Sequence, residues 1–208
     1  RFATHYTEAP RDAPYMERPS PFVYKNEAGD IGLDYGRYCA EVNGGVAPDV
    51  VTLFLGCNDT FSAKDDTIEG VIDAMFGHLD ALIAQIHGVN PATKIGLLAP
   101  VPPTVSQDAF GANYKNNQTR WQYRRNQHRV VERMAETYGG RDGEHISLIP
   151  AYINLDCVRN YPTSTGPANS RNDVEVTRQN NSVHPAGTGY LQIGDSVYGW
   201  LIGTLAAE

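Results

Sequence analysis

The sequence predicts a single α/β domain built on a parallel sheet with helices on both faces. Three observations carry that prediction. Short apolar runs, too brief for buried helices, recur at residues 50–55, 94–99 and 145–149, each closed by glycine or proline. Amphipathic stretches of helical period separate them. The resulting order is strand, helix, strand, helix, strand, loop, helix, without internal repeats.

The first run, Val50 to Leu55, is rich in β-branched and large apolar residues and reads as a strand buried on both faces. It breaks off at Gly56-Cys57-Asn58-Asp59, a sharp turn at the carboxyl end of the strand. Open parallel sheets bind their ligands beyond those carboxyl ends. Asn58 and Asp59 are therefore expected at the chemically active rim, although Asn-Asp is also an ordinary turn pair.

Ahead of this strand, residues 1–30 interleave Pro10, Pro14, Pro19 and Pro21 with aromatics, which predicts an irregular surface arm. A short helix is expected from Asp34 to about Asn43, stopped by Gly44-Gly45. After the strand, Ile68, Val71, Ile72, Met75, Leu79, Leu82, Ile83 and Ile86 follow a helical period. Asp66 and Glu69 resemble a capping box there, and Pro91 stands beyond the far end.

Lys94 to Ala99 is the second strand, and residues 100–117 read as a polar loop walling a cleft. Gln118 to Tyr138 is the next helix, with Trp121, His128, Val131, Met134 and Tyr138 as its inner stripe. His128 is expected as a hydrogen-bonded histidine at the core edge, and Arg120, Arg129 and Arg133 as a solvated face. His145 to Ile149 is the third strand. Residues 151–183 form a long Asn-, Arg- and Thr-rich excursion without periodicity. The terminal helix is expected to open with Pro185 at its first position, which places His184 near the N-cap, with Tyr190, Ile193, Val197 and Leu201 facing inward.

Composition narrows the function. A formal net charge of −7 over 208 residues disfavours nucleic acid as a partner. No apolar run reaches the roughly 20 residues of a membrane span. Cys39, Cys57 and Cys157 have neither metal-ligand spacing nor an even count, so no disulfide framework or structural zinc is expected. The chain opens on Arg1-Phe2-Ala3, which suggests that the natural beginning lies upstream.

Two separated pieces converge if this topology holds. His184, just ahead of the last helix, is a candidate general base, since histidine is the residue type best suited to take up and release a proton under physiological conditions. Asn58 offers an amide donor for a developing oxyanion, worth about 3–4 kcal/mol in known cases. Either residue alone has a plainer reading, as a turn or as a polar cap.

As a pair the two resemble a family. Gly56-Cys57-Asn58-Asp59 is similar to the third block, Gly-x-Asn-Asp, of the SGNH or GDSL-type hydrolases, and His184-Pro185 to their fifth, Asp-x-x-His-Pro. The resemblance covers roughly residues 45–208 and implies a flavodoxin-like three-layer α/β/α sandwich across a single domain, 1–208. It implies an esterase, lipase, thioesterase or carbohydrate deacetylase with His184 as base and Asn58 in the oxyanion hole. No metal or organic cofactor is implied. The expected substrate is a small-molecule or carbohydrate acyl ester, and an extracytoplasmic location, secreted or periplasmic, follows from family habit alone.

Two departures stand out. The nucleophile block, Gly-Asp-Ser after a first strand, has no match ahead of Asn58. Gly194-Asp195-Ser196 is a decoy in the last helix, with its serine expected off the buried face and no elbow to expose it. The first strand, the serine and the second-block glycine are therefore expected ahead of Arg1; the alternative is a non-catalytic carbohydrate-binding pseudo-hydrolase. In addition, Asn181 stands where the family has aspartate. Asn181 or a nearby carbonyl is expected to orient His184, with Asp173 or Glu175 as acidic alternatives. Cys57 as a nucleophile is disfavoured, because it follows Gly56 into the sheet and has no cationic neighbour in sequence. The Asn-x-Ser/Thr triplets at Asn58, Asn117 and Asn180 arise readily by chance in an Asn-rich chain.

Overall fold

The computed structural model describes residues 3–12, 19–113 and 118–206. Its centre is a parallel sheet of β3 (Val50–Leu53), β4 (Lys94–Leu98) and β5 (Ile146–Ile149), in that spatial order. Val51 lies opposite Ile95, and Ile95 opposite Ile146. Parallel neighbours need a crossover, supplied here by α3 (Ile68–Val89) and α5 (Arg120–Tyr138). Both helices cover one face, where Ile72, Leu79, Ile83, Val130 and Tyr138 close over Ile95, Leu97 and Ile146. Each fully buried aliphatic side chain there contributes about 1.5–3 kcal/mol. A shorter helix, α2 (Tyr35–Val42), adds Tyr35 and Cys39 to the same cluster.

The opposite face carries α7 (Gly187–Ala206), whose Ile193, Val197 and Trp200 pack with Leu98 and Ile149. Gly96 of β4 makes this approach possible. A Cβ there would lie 2.7 Å from Ile149 Cδ1 and 2.8 Å from Trp200 Cη2. The molecule is thus an α/β sandwich of three layers, as the sequence predicts.

Several local expectations change. β3 is not buried on both faces: it is an edge strand, only half-buried, because β4 alone pairs with it. The capping box at Asp66 and Glu69 does not form. Thr67 precedes α3 without a side-chain cap, and Glu69 instead receives Arg129 Nε at 2.6 Å and Arg133 Nη1 at 2.6 Å. Arg129 and Arg133 are therefore a strap between α5 and α3, reinforced by Asp73 at 2.7 Å from Arg133, rather than a solvated face.

The inner stripe of α5 is rotated from its expected position. Tyr123, Asn126, Gln127, Val130, Met134 and Tyr138 are buried, whereas Trp121 is 56 % exposed. His128 faces solvent 3.5 Å from Glu132 and is not a core-edge histidine. Polar Asn126 and Gln127 displaced the apolar assignment because they have buried partners, described below. On α7, Tyr190 is exposed rather than inward. Ser196 of the decoy is buried, not off the core face; it donates to Gln192 O and accepts from Asn154 Nδ2 at 2.7 Å.

The proline-rich arm has more structure than expected. It holds α1 (Ala3–Glu8) and an antiparallel pair, β1 (Val23–Lys25) with β2 (Ile31–Leu33), while Pro14 lies outside the described residues. Within 100–117 a helix, α4 (Gln107–Asn113), replaces part of the loop; Asn117 lies outside the described residues. The excursion 151–183 contains α6 (Ala151–Asn154) and a hairpin of β6 (Thr163–Asn169) with β7 (Asn172–Gln179). Among the described residues, no helix is long and apolar enough to cross a membrane.

Candidate functional site

The loop after β3 begins at Gly56, whose φ of 108° is costly for any residue with a Cβ. A Cβ there would also meet Met75 Sδ at 3.1 Å and Pro100 Cγ at 3.3 Å. Thr60 then closes the turn, its N–H and Oγ1 both donating to Gly56 O, at 3.1 and 2.7 Å. Two buried amides of α5 fix the turn from below. Asn126 Nδ2 donates to Thr60 O and Ala63 O, each at 2.9 Å, and Gln127 Nε2 donates to Thr60 Oγ1 at 2.9 Å. Buried polar groups of this kind are costly unless paired, so the three residues specify one loop conformation.

On that support Asn58 is exposed at the carboxyl rim of the sheet. Cys57 turns the other way, its thiol hydrogen-bonded with the Val101 backbone and the Tyr123 side chain. Burial pushes its pKa up to about 11. A thiol so placed is a poor nucleophile. Asp59 Oδ1 accepts the Ala3 N–H at 2.8 Å, while Oδ2 is shielded from solvent without a partner among the described residues. Burial raises the Asp59 pKa, opposed by the Ala3 N–H. A cavity of ≈ 480 Å³ lies beside Asp59, lined in part by Thr4, Asp66, Thr67 and Met75.

The segment after β4 joins this loop to the one that carries His184. Pro100 and Val101 contact Gly56 and Cys57, as described above. Three residues on, Thr104 N–H donates to Ser182 O at 3.1 Å, and Thr104 Oγ1 hydrogen-bonds Gln179 Oε1. Gln179 Nε2 reaches Cys157 O at 2.8 Å and Val158 O at 3.1 Å, and Tyr161 OH donates to Pro102 O at 2.6 Å. The Asn58 and His184 loops therefore rise from the same rim, either side of residues 100–104.

His184 is exposed and sits two residues ahead of Ala186, whose carbonyl accepts the first helical bonds of α7. Pro185 is thus outside the helix rather than at its first position. Asn181 Oδ1 accepts the N–H groups of Val183 at 3.2 Å and His184 at 3.0 Å. These bonds hold the backbone of the loop, and so the site from which the imidazole projects. Asp173 and Glu175 are exposed on β7, six and four residues out from Gln179. At the rise of a strand that is roughly 20 and 13 Å along the hairpin.

Thr60, Thr104, Asn126, Gln127 and Gln179 were not legible as site residues. Each is polar and buried, and only its partner in space explains its place. Among the described residues, no group of three or more His, Cys, Asp or Glu side chains is arranged to hold a metal ion.

No family model and no curated protein matches the chain. Solved structures do resemble it. One is a Streptococcus pneumoniae protein provisionally described as a platelet activating factor, with a TM-score of 0.47 and 17% identity over 81% of this chain and 68% of that one. Another is a possible lipase from Chitinophaga pinensis, with a TM-score of 0.46 and 17% identity over 83% of this chain and 80% of that one. A third, from Parabacteroides merdae, is provisionally described as a GDSL-like lipase, with a TM-score of 0.43 and 17% identity over 81% of this chain and 66% of that one.

Proposed function

We propose that this chain belongs to a serine-type ester hydrolase acting on a polar acyl ester, such as an acetylated sugar. The observation that carries the reading is the common rim: Asn58 and His184, more than a hundred positions apart, stand exposed on loops tied to one connecting segment. In this reading the nucleophilic serine comes from polypeptide ahead of Arg1. Its hydroxyl oxygen attacks the acyl carbonyl carbon while His184 accepts the hydroxyl proton. The Asn58 side-chain N–H donates to the resulting oxyanion. Collapse of the tetrahedral species breaks the carbon–alkoxy bond, and the leaving alcohol takes the proton from His184. Water repeats the sequence to release the acid and restore the serine.

Asn181 is a positioning residue in this scheme. It fixes the His184 backbone and cannot stabilise an imidazolium as a carboxylate would, so the reading is of a Ser–His pair. The polar, Asn-rich composition of residues 100–117 and 151–183 is what supports a polar substrate. The test is hydrolysis of p-nitrophenyl acetate by the polypeptide with its upstream sequence, compared with His184→Ala. A loss of about 10²–10⁴ in turnover is expected. Equal turnover removes His184 from the reaction, and retained sugar binding without turnover supports the non-catalytic carbohydrate-binding alternative.

A further inference from the structure

At the amino-terminal ends of β4 and β5, the opposite end of the sheet from the Asn58 loop, lies a cleft of ≈ 880 Å³. It runs from Tyr138, at the close of α5, to Gly199, Trp200 and Gly203 of α7. The length of β4, from Lys94 to Leu98, sets it roughly 13 Å from the carboxyl rim. Its size falls within the range of about 300–1,000 Å³ typical of small-molecule sites.

α7 supplies one wall. Gly199 and Gly203 stand one helical turn apart, and a Cβ at either would meet nothing within 4 Å, so the wall there is bare backbone. Trp200 turns its Cζ2 and Cη2 edge to Gly96 of β4. The Trp200 Nε1–H is shielded from solvent and has no acceptor among the described residues. A buried donor left unpaired is costly, and the room beside the two glycines lets the ring tilt toward an acceptor in the cleft. β5 supplies the facing wall. Ser147 shares a strand face with Ile149, which borders the same indole, and so looks toward α7. Ser147 Oγ donates to Asp142 Oδ1 at 2.8 Å, which orients a carboxylate that can accept further donors.

These walls define the chemistry of a ligand. The indole N–H calls for an acceptor and the carboxylate for a donor, and a hydroxyl group is both. Lys94 and Asp142 bring one charge of each sign to the lining, which leaves no net attraction for an ion. The indole itself is a broad apolar plane with a polar edge. A ring with an apolar C–H face and hydroxyls around its rim meets all three conditions. We propose that this cleft binds a neutral pyranose sugar, laid against Trp200, with its hydroxyls shared between Trp200 Nε1–H and Asp142. The site stands apart from Asn58 and His184 and does not depend on the hydrolase reading above.

The two tryptophans of the chain, Trp121 and Trp200, allow a direct test by NMR. In the 208-residue chain carrying Trp121→Phe, the remaining indole N–H resonance belongs to Trp200. Titration with the methyl pyranosides of glucose, galactose, mannose and N-acetylglucosamine should move it saturably for at least one of them, in the millimolar range. Asp142→Asn keeps an acceptor for Ser147 but removes the charge, and should weaken that sugar about tenfold. Gly203→Leu fills the cleft from an open helical position that favours leucine over glycine, so the fold should hold while the shift is lost. No movement with any of the pyranosides overturns the proposal, as does a shift that survives Gly203→Leu. Tighter binding of inorganic phosphate would make the cleft an anion site, and tighter binding of cyclohexanol an unspecific apolar one; either result overturns it too.

Discussion

On one face of the sheet, α2, α3 and α5 bury Ile72, Leu79, Ile83, Val130 and Tyr138 against all three strands. On the other, α7 packs on β4 and β5, and among the described residues β3 is only half-buried, with Phe54 exposed beyond it. α7 also shows Leu191, Tyr198, Ile202 and Leu205 to solvent, an apolar stripe at positions seven, eleven and fourteen from its first member. The first face is closed by volume: large side chains interlock, and a charged strap of Glu69, Asp73, Arg129 and Arg133 fastens its rim. The second is closed by proximity, with Gly96 letting an indole ring rest on the backbone of β4. Among the described residues the sandwich therefore has helices packed on both faces of β4 and β5, and on one face of β3.

Substitutions test that contrast. The largest effect is expected at Ile72, which is fully buried on the inner face of α3. Ile72→Ala should cost about 2–5 kcal/mol in a denaturant titration, since the first face cannot collapse around the lost volume. Gly96→Ala should cost about 1–3 kcal/mol by overpacking and should alter Trp200 fluorescence. A stable Gly96→Ala protein with unchanged fluorescence would show that α7 rests on β4 less closely than described.

The strap should matter less and should depend on salt and acid. Hydrogen bonding from Arg129, and then from Arg133, holds the Glu69 pKa below its ordinary 4.5. Its contribution is thus present above that ordinary value and is lost as pH falls through the depressed folded one. Glu69→Gln should lower the melting temperature slightly at pH 7. The difference should vanish below the folded pKa of Glu69 and shrink in about 1 M salt. The smallest effect is expected on the exposed stripe of α7, where Ile202→Ala should stay within about 0.5 kcal/mol in the 208-residue chain. A larger cost would show that the stripe is covered rather than solvated.

The Gly-Cys-Asn-Asp turn and the His-Pro pair were readable because each is a local feature: a positive-φ glycine after a strand, and a histidine at a helix entrance. The supports beneath them were not. Asn126 and Gln127 look like surface residues of a helix until Thr60 is placed against them, and the resulting rotation of α5 moves Trp121 and His128 outward. The β6–β7 hairpin escaped notice because most of its pairs, such as Ser164 with Arg178 and Thr165 with Thr177, are polar, and only Val174 and Val176 hint at alternation.

By itself the sequence determined the kinds and order of the main elements, since periodicity and chain punctuation are set by backbone sterics and by which side chains leave water. It also marked Asn58 as following a strand and His184 as preceding the last helix. Only the tertiary structure decided which strand is an edge, which buried amides hold the Asn58 loop, and that Asn181 binds backbone N–H groups. Those outcomes depend on partners distant in the chain, and burial makes such a partner worth far more than any local preference.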